Sequence, residues 1–262
     1  IIMGQESAYN LDTGDDNIIL GAQAGCDVSS GNRNIYMGKS AAANSTTGSD
    51  NIALGCCAMY SCAVTGSHNV FLGSYSGRKT ESAACNIAIG YQASEFMETG
   101  TSNVAIGVQA GGSTGSGVGG NCNVAIGKQA LQQLTGGHCN VALGMLAGGG
   151  GAPGSRSIAI GTCAGWCGMK SDDTISIGYL AGCMAADPVN GCGIFIGRYA
   201  GRAAAEGKAI MIGCEAGRCA VDADNSIFIG SAAGKCACNA ADGNLFIGQC
   251  AGRGSSTLAD NT

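Results

Sequence analysis

Proline is almost absent from this chain, at 2 of 262 residues, and histidine occurs only as His68 and His138. With 47 glycines beside so little proline, the chain is turn-rich without a collagen composition, and its 45% apolar content is too high for disorder. Long hydrophobic runs are also missing. Glycine breaks each one after a few residues, which excludes a membrane-spanning helix of about 20 residues. Thirteen Lys and Arg against 18 Asp and Glu leave a net charge of −5, with no basic patch visible along the chain. A nucleic-acid surface, which needs clustered Lys and Arg at the phosphates, is therefore not expected.

What is present is a repeat. The pattern IxIGxxAG returns about every 17 residues, marked by Gly4, Gly21, Gly38, Gly55, Gly73, Gly90, Gly107, Gly127, Gly144, Gly161, Gly178, Gly197, Gly213, Gly230 and Gly248. Most steps are 17 residues, with 16, 18, 19 or 20 elsewhere, so insertions stay local while the coil length is held, as in solenoids. No linker or composition shift interrupts the array. The expected fold class is all-β: a parallel β-solenoid, or β-roll, of about fifteen 17-residue coils forming one continuous domain over residues 1–262.

Residues three and one before each marker are Ile, Val, Leu or Met, a period-2 strand signal with a β-branched preference. The residue between them is apolar in every copy except Ser176, so the strand is expected to be buried on both faces. One face would meet its own coil, and Phe71, Phe195, Phe228 and Phe246 would pack laterally on a second chain or fill a wide coil interior. Ala, or Ser at Ser7 and Ser76, stands three residues after each marker, where coils pass closely. Corner glycines follow it or stand seven before the marker, as Gly25 and Gly31 do.

Four residues before the marker lie Asn17, Asn34, Asn51, Asn69, Asn86, Asn103, Asn123, Asn140 and, later, Asn244. Stacked about 4.8 Å apart, their amides can satisfy one another along a ladder. The rival is a row that binds a glycan or an ion. Where the ladder lapses at Ser157, Thr174, Gly193, Ala209 and Ser226, cysteines become denser, as though one device replaced another.

Sixteen cysteines point to an oxidising, extracellular setting, and the even count permits full pairing. Cys122 with Cys139, and Cys219 with Cys236, hold the same position in consecutive coils, where the spacing fits a disulfide's Cα separation of about 4.4–6.8 Å. Cys167 with Cys183 is a third candidate, offset by one position. Zinc is not expected, because Cys56, Cys57, Cys62, Cys236 and Cys238 lack paired two-residue gaps or nearby His. The acidic pairs Asp15–Asp16, Asp172–Asp173 and Asp222 with Asp224 read as solvated turns and lack the calcium-roll pattern. No metal or cofactor is expected. His68 and His138 stand four coils apart in turns, and Asn44-Ser45-Thr46 forms a single N-glycosylation sequon.

The segments NVAIGVQAG (103–111), NVAIGKQAL (123–131) and NIAIGYQAS (86–94) resemble the repeats of phage and phage-like tail fibres and are similar to the SVAIG repeats in the heads of trimeric autotransporter adhesins. The resemblance implies a parallel β-roll, often trimeric, that works as a fibre or as an adhesive head binding a surface glycan or receptor. The coil here is longer than the adhesin repeat, and its cysteines are not typical of it. A minor alternative is a left-handed β-helix acyltransferase, since IGxxAG fits one of the three hexapeptides in such a coil, but only that one recurs. An ice-binding solenoid would need an ordered outward Thr ladder, which is absent.

The expectation is therefore a structural protein without enzymatic activity, located outside the cell or on a virion or cell surface. Its partner would be itself, as a homopolymer or homo-oligomer, with no membrane insertion. Ile1, Ile2, Met3 and Gly4 begin inside a core strand, and Gly248 is followed by fourteen residues, Thr262 included. A second copy placed after Thr262 would bring its Gly4 eighteen residues on, a step already native to the chain. End-to-end stacking through these residues is expected, and a longer covalent array would give the same rod.

Overall fold

Flanking β-branched residues and a closing glycine set a very short strand, and the computed structural model of the chain has one before every marker. It describes residues 1–61, 64–112, 119–151, 153–167, 172–183, 192–204, 208–221, 223–237 and 243–254. The chain divides into two compact units, Ile1–Gly136 and Gly137–Thr262. The first holds β1 (Ile2–Met3), β2 (Ile18–Leu20), β3 (Ile35–Met37), β4 (Ile52–Leu54), β5 (Val70–Leu72), β6 (Ile87–Ile89), β7 (Val104–Ile106) and β8 (Val124–Ile126). The second holds β9 (Val141–Leu143), β10 (Ile158–Ile160), β11 (Ile175–Ile177), β12 (Ile194–Ile196), β13 (Ile210–Ile212), β14 (Ile227–Ile229) and β15 (Leu245–Ile247).

Within each unit every strand pairs in parallel with the next in sequence, so each is a β-solenoid, and no helix occurs among the described residues. Register survives the irregular steps. Val104 still pairs with Val124 across a 20-residue step, and Ile194 with Ile210 across 16.

The strands are not buried on both faces. From β2 to β15 the middle residue is buried, whereas the two flanking aliphatics are half-buried or exposed, with Met37, Ile87 and Ile126 near 40%. This corrects the lateral role given to Phe71, Phe195, Phe228 and Phe246. Their exposures are 0, 3, 0 and 9%, so their rings fill the coil interior, and Phe228 stacks on Phe246 with centroids 5.1 Å apart. The coil is closed so tightly that only one strand side chain points inward.

Glycine follows from this tightness at two positions. A Cβ on the marker Gly107, at φ +134°, would stand 2.6 Å from the Gly127 carbonyl oxygen of the next coil. Four residues after the marker the backbone is left-handed and faces the middle strand residue. A Cβ at Gly201 would lie 2.1 Å from the Phe195 ring, and one at Gly217 would lie 2.0 Å from Met211 Sδ. Where the strand residue is instead Ala53 or Ala125, this position holds Met59 or Leu131, each fully buried. In these coils a large residue at one position meets a small one at the other, as close packing requires, whereas Ala105 with Gly111, Ala142 with Gly148 and Ala159 with Gly165 are small at both.

Tyr36 is the largest polar member of the interior, and its Oη lies 3.1 Å from Ser45 Oγ. Burial pushes its phenol up to about 12 from an ordinary value near 10. Because the folded value exceeds the unfolded one, this stabilisation is complete below pH about 10 and is lost as pH rises toward 12. Absorbance titration should show Tyr36 ionising with alkaline unfolding, and Tyr36→Phe should shift that transition to higher pH.

Candidate functional site

The asparagine column lies inside the coil, buried to between 0 and 7% exposure. Its bonding is more specific than amide to amide. Each Oδ1 accepts the backbone N–H of the next asparagine: Asn17 from Asn34, Asn34 from Asn51, Asn51 from Asn69, Asn69 from Asn86, Asn86 from Asn103 and Asn103 from Asn123, at 2.9–3.0 Å. Nδ2 of Asn17, Asn34, Asn51, Asn69, Asn86, Asn103 and Asn140 donates to a carbonyl one coil on, as from Asn34 to Gly48 and from Asn140 to Gly154. Direct amide contacts join Asn51, Asn69, Asn86, Asn103 and Asn123. Hydroxyls continue the device after Asn140: Ser157 Oγ accepts the Thr174 N–H and Ser226 Oγ that of Asn244, both at 3.1 Å. These amides serve the backbone and offer no surface to a glycan.

A second amide ladder escaped the sequence reading. Gln109 donates to Gln92 at 3.1 Å, and Gln129 to Gln109 at 3.0 Å. All three stand two residues after a marker, so phase alone could have found them.

No disulfide is formed among the described cysteines, so the bridges expected for Cys122–Cys139, Cys219–Cys236 and Cys167–Cys183 are absent from this structure. Cys219 and Cys236 share one left-handed conformation, φ 59° and 55°, in adjacent coils. Equivalent residues point their Cβ atoms in parallel, which keeps them about 4.8 Å apart, beyond the roughly 3.5–4.5 Å that a bridge needs. Cys122 lies in the first unit and Cys139 in the second, both exposed at left-handed corners. Cys183 is buried, and that burial, with Cys163 and Cys167 beside it, pushes its thiol up to about 11, whereas Cys167 donates to the Gly150 carbonyl. Cys62 and Cys238 lie outside the described residues.

The acidic turns carry ion pairs between coils. Arg33 pairs with Asp50 at 2.7 Å, and Arg156 with Asp172 and Asp173 at 2.9 and 2.7 Å, so hydrogen bonds from arginine hold Asp50 and Asp173 below the usual carboxylate range. Such exposed pairs contribute little stability. Asp222 lies outside the described residues. Among the described residues no group of three or more His, Cys, Asp or Glu is placed to hold a metal, and none forms a helix long and apolar enough to cross a membrane. His68 is exposed, 3.6 Å from Asp50. Asn44 is half-buried beside Ser45, which bridges Val64, so the sequon sits on a paired segment. At the end-to-end positions Ile1, Ile2 and Met3 are exposed at 74, 47 and 67%, Gly4 and Gly248 close their strands, and Thr262 lies outside the described residues.

Three surface features remain. The first is the outward sheet face, where the flanking residues of β2–β8 in one unit and β9–β15 in the other make two columns of Ile, Val, Leu and Met without a single charge. The second is a cleft of about 420 Å³ in the first unit beside Arg78, Gln92, Glu95, Phe96 and Gln109, in which Arg78 binds Glu95 at 3.1 Å and lies 5.7 Å from the Phe96 ring centroid. The third is a cationic corner in the second unit around Tyr199, where the Arg198, Arg202 and Arg218 guanidiniums each lie 5.4 Å from the ring centroid. The sequence reading found no basic patch because these charges are dispersed along the chain. No family model matches this chain, and neither a curated protein nor a solved structure matches it.

Proposed function

We propose that the chain is a structural module of an extracellular or surface fibre and that its copies associate through the outward aliphatic face. The observation that carries this is the uninterrupted pair of charge-free columns on a regular parallel sheet. Eight strands about 4.8 Å apart and about 10 Å wide give the first unit an apolar face of roughly 400 Å². The largest apolar patch on a typical monomer is about 300–600 Å² and is often functional, and this face falls in that range. Covering it is worth on the order of 10 kcal/mol before the costs of association. A second copy presents the same ladder at the same spacing, so aliphatic rows can interdigitate along the full face, as identical stacked side chains do in dry sheet interfaces. The reading assigns no reaction to the protein.

Ile89→Lys with Ile106→Lys tests it, because both residues point outward and their replacement leaves the coil interior intact. In sedimentation analysis the wild-type chain should run as an oligomer, and the variant as a single 25.7 kDa chain with unchanged circular dichroism. A wild-type chain that stays single at micromolar concentration would overturn the proposal.

A further inference from the structure

The corner of the second unit carries a row of cations in register. Arg202, Arg218, Lys235 and Arg253 each stand five residues after the marker of four consecutive coils. Their backbones are equivalent: the four N–H groups donate to the carbonyls of Tyr199, Glu215, Ala232 and Cys250 at 3.2–3.3 Å. Coil-to-coil bonds fix the stacking, since Cys219 donates to the Arg202 carbonyl, Cys236 to that of Arg218 and Gly254 to that of Lys235, each at 2.9 Å. The cationic side chains therefore leave the backbone about every 4.8 Å. Arg198 joins them, and the Tyr199 ring gathers three of the guanidiniums.

One carboxylate faces this row among the described residues. Glu215 accepts from Arg218 at 3.3 Å and from Lys235, and the hydrogen bond from Lys235 holds its carboxyl below the usual range. Among the described residues, five cations against one anion leave a local excess of four positive charges in a chain whose net charge is −5. Like charges at this spacing repel unless an external anion answers them, and an anion that answers a row must itself be a row.

We infer that this corner binds a linear acidic polysaccharide, a polymer carrying carboxylate or sulfate on successive sugar rings. The ring-by-ring repeat of such a chain is comparable to one coil step. Each strand of duplex DNA advances about 3.4 Å per phosphate along the helix axis, out of step with the row. The ring that could stack a base is also covered by guanidiniums.

Calorimetric titration of the full chain with polygalacturonate, dextran sulfate and oligothymidylate, at about 50 mM salt, tests the inference. At least one of the two polysaccharides should bind, and binding should weaken steeply with salt. Arg202→Gln with Arg253→Gln, which leaves the Glu215 pairs in place, should lower affinity about three- to tenfold. Adding Arg218→Gln and Lys235→Gln should take the loss beyond tenfold and flatten the salt slope. Arg33→Gln with Arg156→Gln removes two cations elsewhere and should leave affinity within twofold. Each variant is checked for unchanged circular dichroism and melting, and the double variant carries the test if the quadruple one does not fold. Three results would overturn the site: no binding of either polysaccharide by the wild type, equal binding by the double variant, or tighter binding of oligothymidylate than of both polysaccharides.

Discussion

A chain carrying Phe195→Ala and Gly201→Leu together is expected to be more stable than a chain carrying either change alone. Phe195→Ala empties a fully enclosed coil interior and should cost about 3–5 kcal/mol. Gly201→Leu should cost at least as much, because the first atom of the new side chain would fall 2.1 Å from the Phe195 ring. The left-handed backbone there is the smaller obstacle, at about 1–2 kcal/mol, and Leu131 already adopts it at the equivalent corner with φ 47°. In combination the two changes reproduce the native pairing of Ala125 with Leu131. Denaturant titration of the four chains in this cycle should give a coupling energy of at least about 2 kcal/mol in favour of the double variant. Additive losses would mean that the two positions do not share one space.

The second large effect is expected at the buried ladder. Asn69→Ala removes the acceptor of the Asn86 backbone N–H and of its Nδ2, and also the donor to the Ala83 carbonyl. Each orphaned group inside the coil costs about 1–3 kcal/mol, so the total loss should be about 3 kcal/mol or more. Native-state hydrogen exchange should show the Asn86 N–H losing protection first. Asn10→Ala is the control, since Asn10 also bonds across a coil, to Asp27 at 2.8 Å, but does so at an exposed site. That change should stay within about 0.5 kcal/mol. Comparable losses at the two positions would remove the buried column from its structural role.

Much of this was legible without coordinates. The period of the marker glycines gave the coil, the alternating aliphatics gave the strand, and the asparagine phase gave the ladder, because all three depend on spacing along the chain. The cationic corner was legible in principle, as the offset of Arg202, Arg218, Lys235 and Arg253 from their markers is constant. It was missed because charge was read as clusters along the sequence rather than by phase. In a solenoid, residues about 17 apart are neighbours, and a run of like charge is written one residue per coil.

The sequence by itself therefore determined the repeat, the all-β class and which residues stack on which. Only the tertiary structure decided which way they point. Alternation separates two faces of a strand without saying which is inside, and here both sets are apolar, so Phe71 and Phe195 could be read as lateral contacts. Closure of a 17-residue coil settled the matter: its interior takes the middle strand side chain, and the two flanking aliphatics are turned outward. The same limit applies to the cysteines, whose phase put Cys219 over Cys236 while the shared left-handed backbone set their side chains parallel rather than convergent. Direction in space belongs to the closed coil, and a periodic sequence does not carry it.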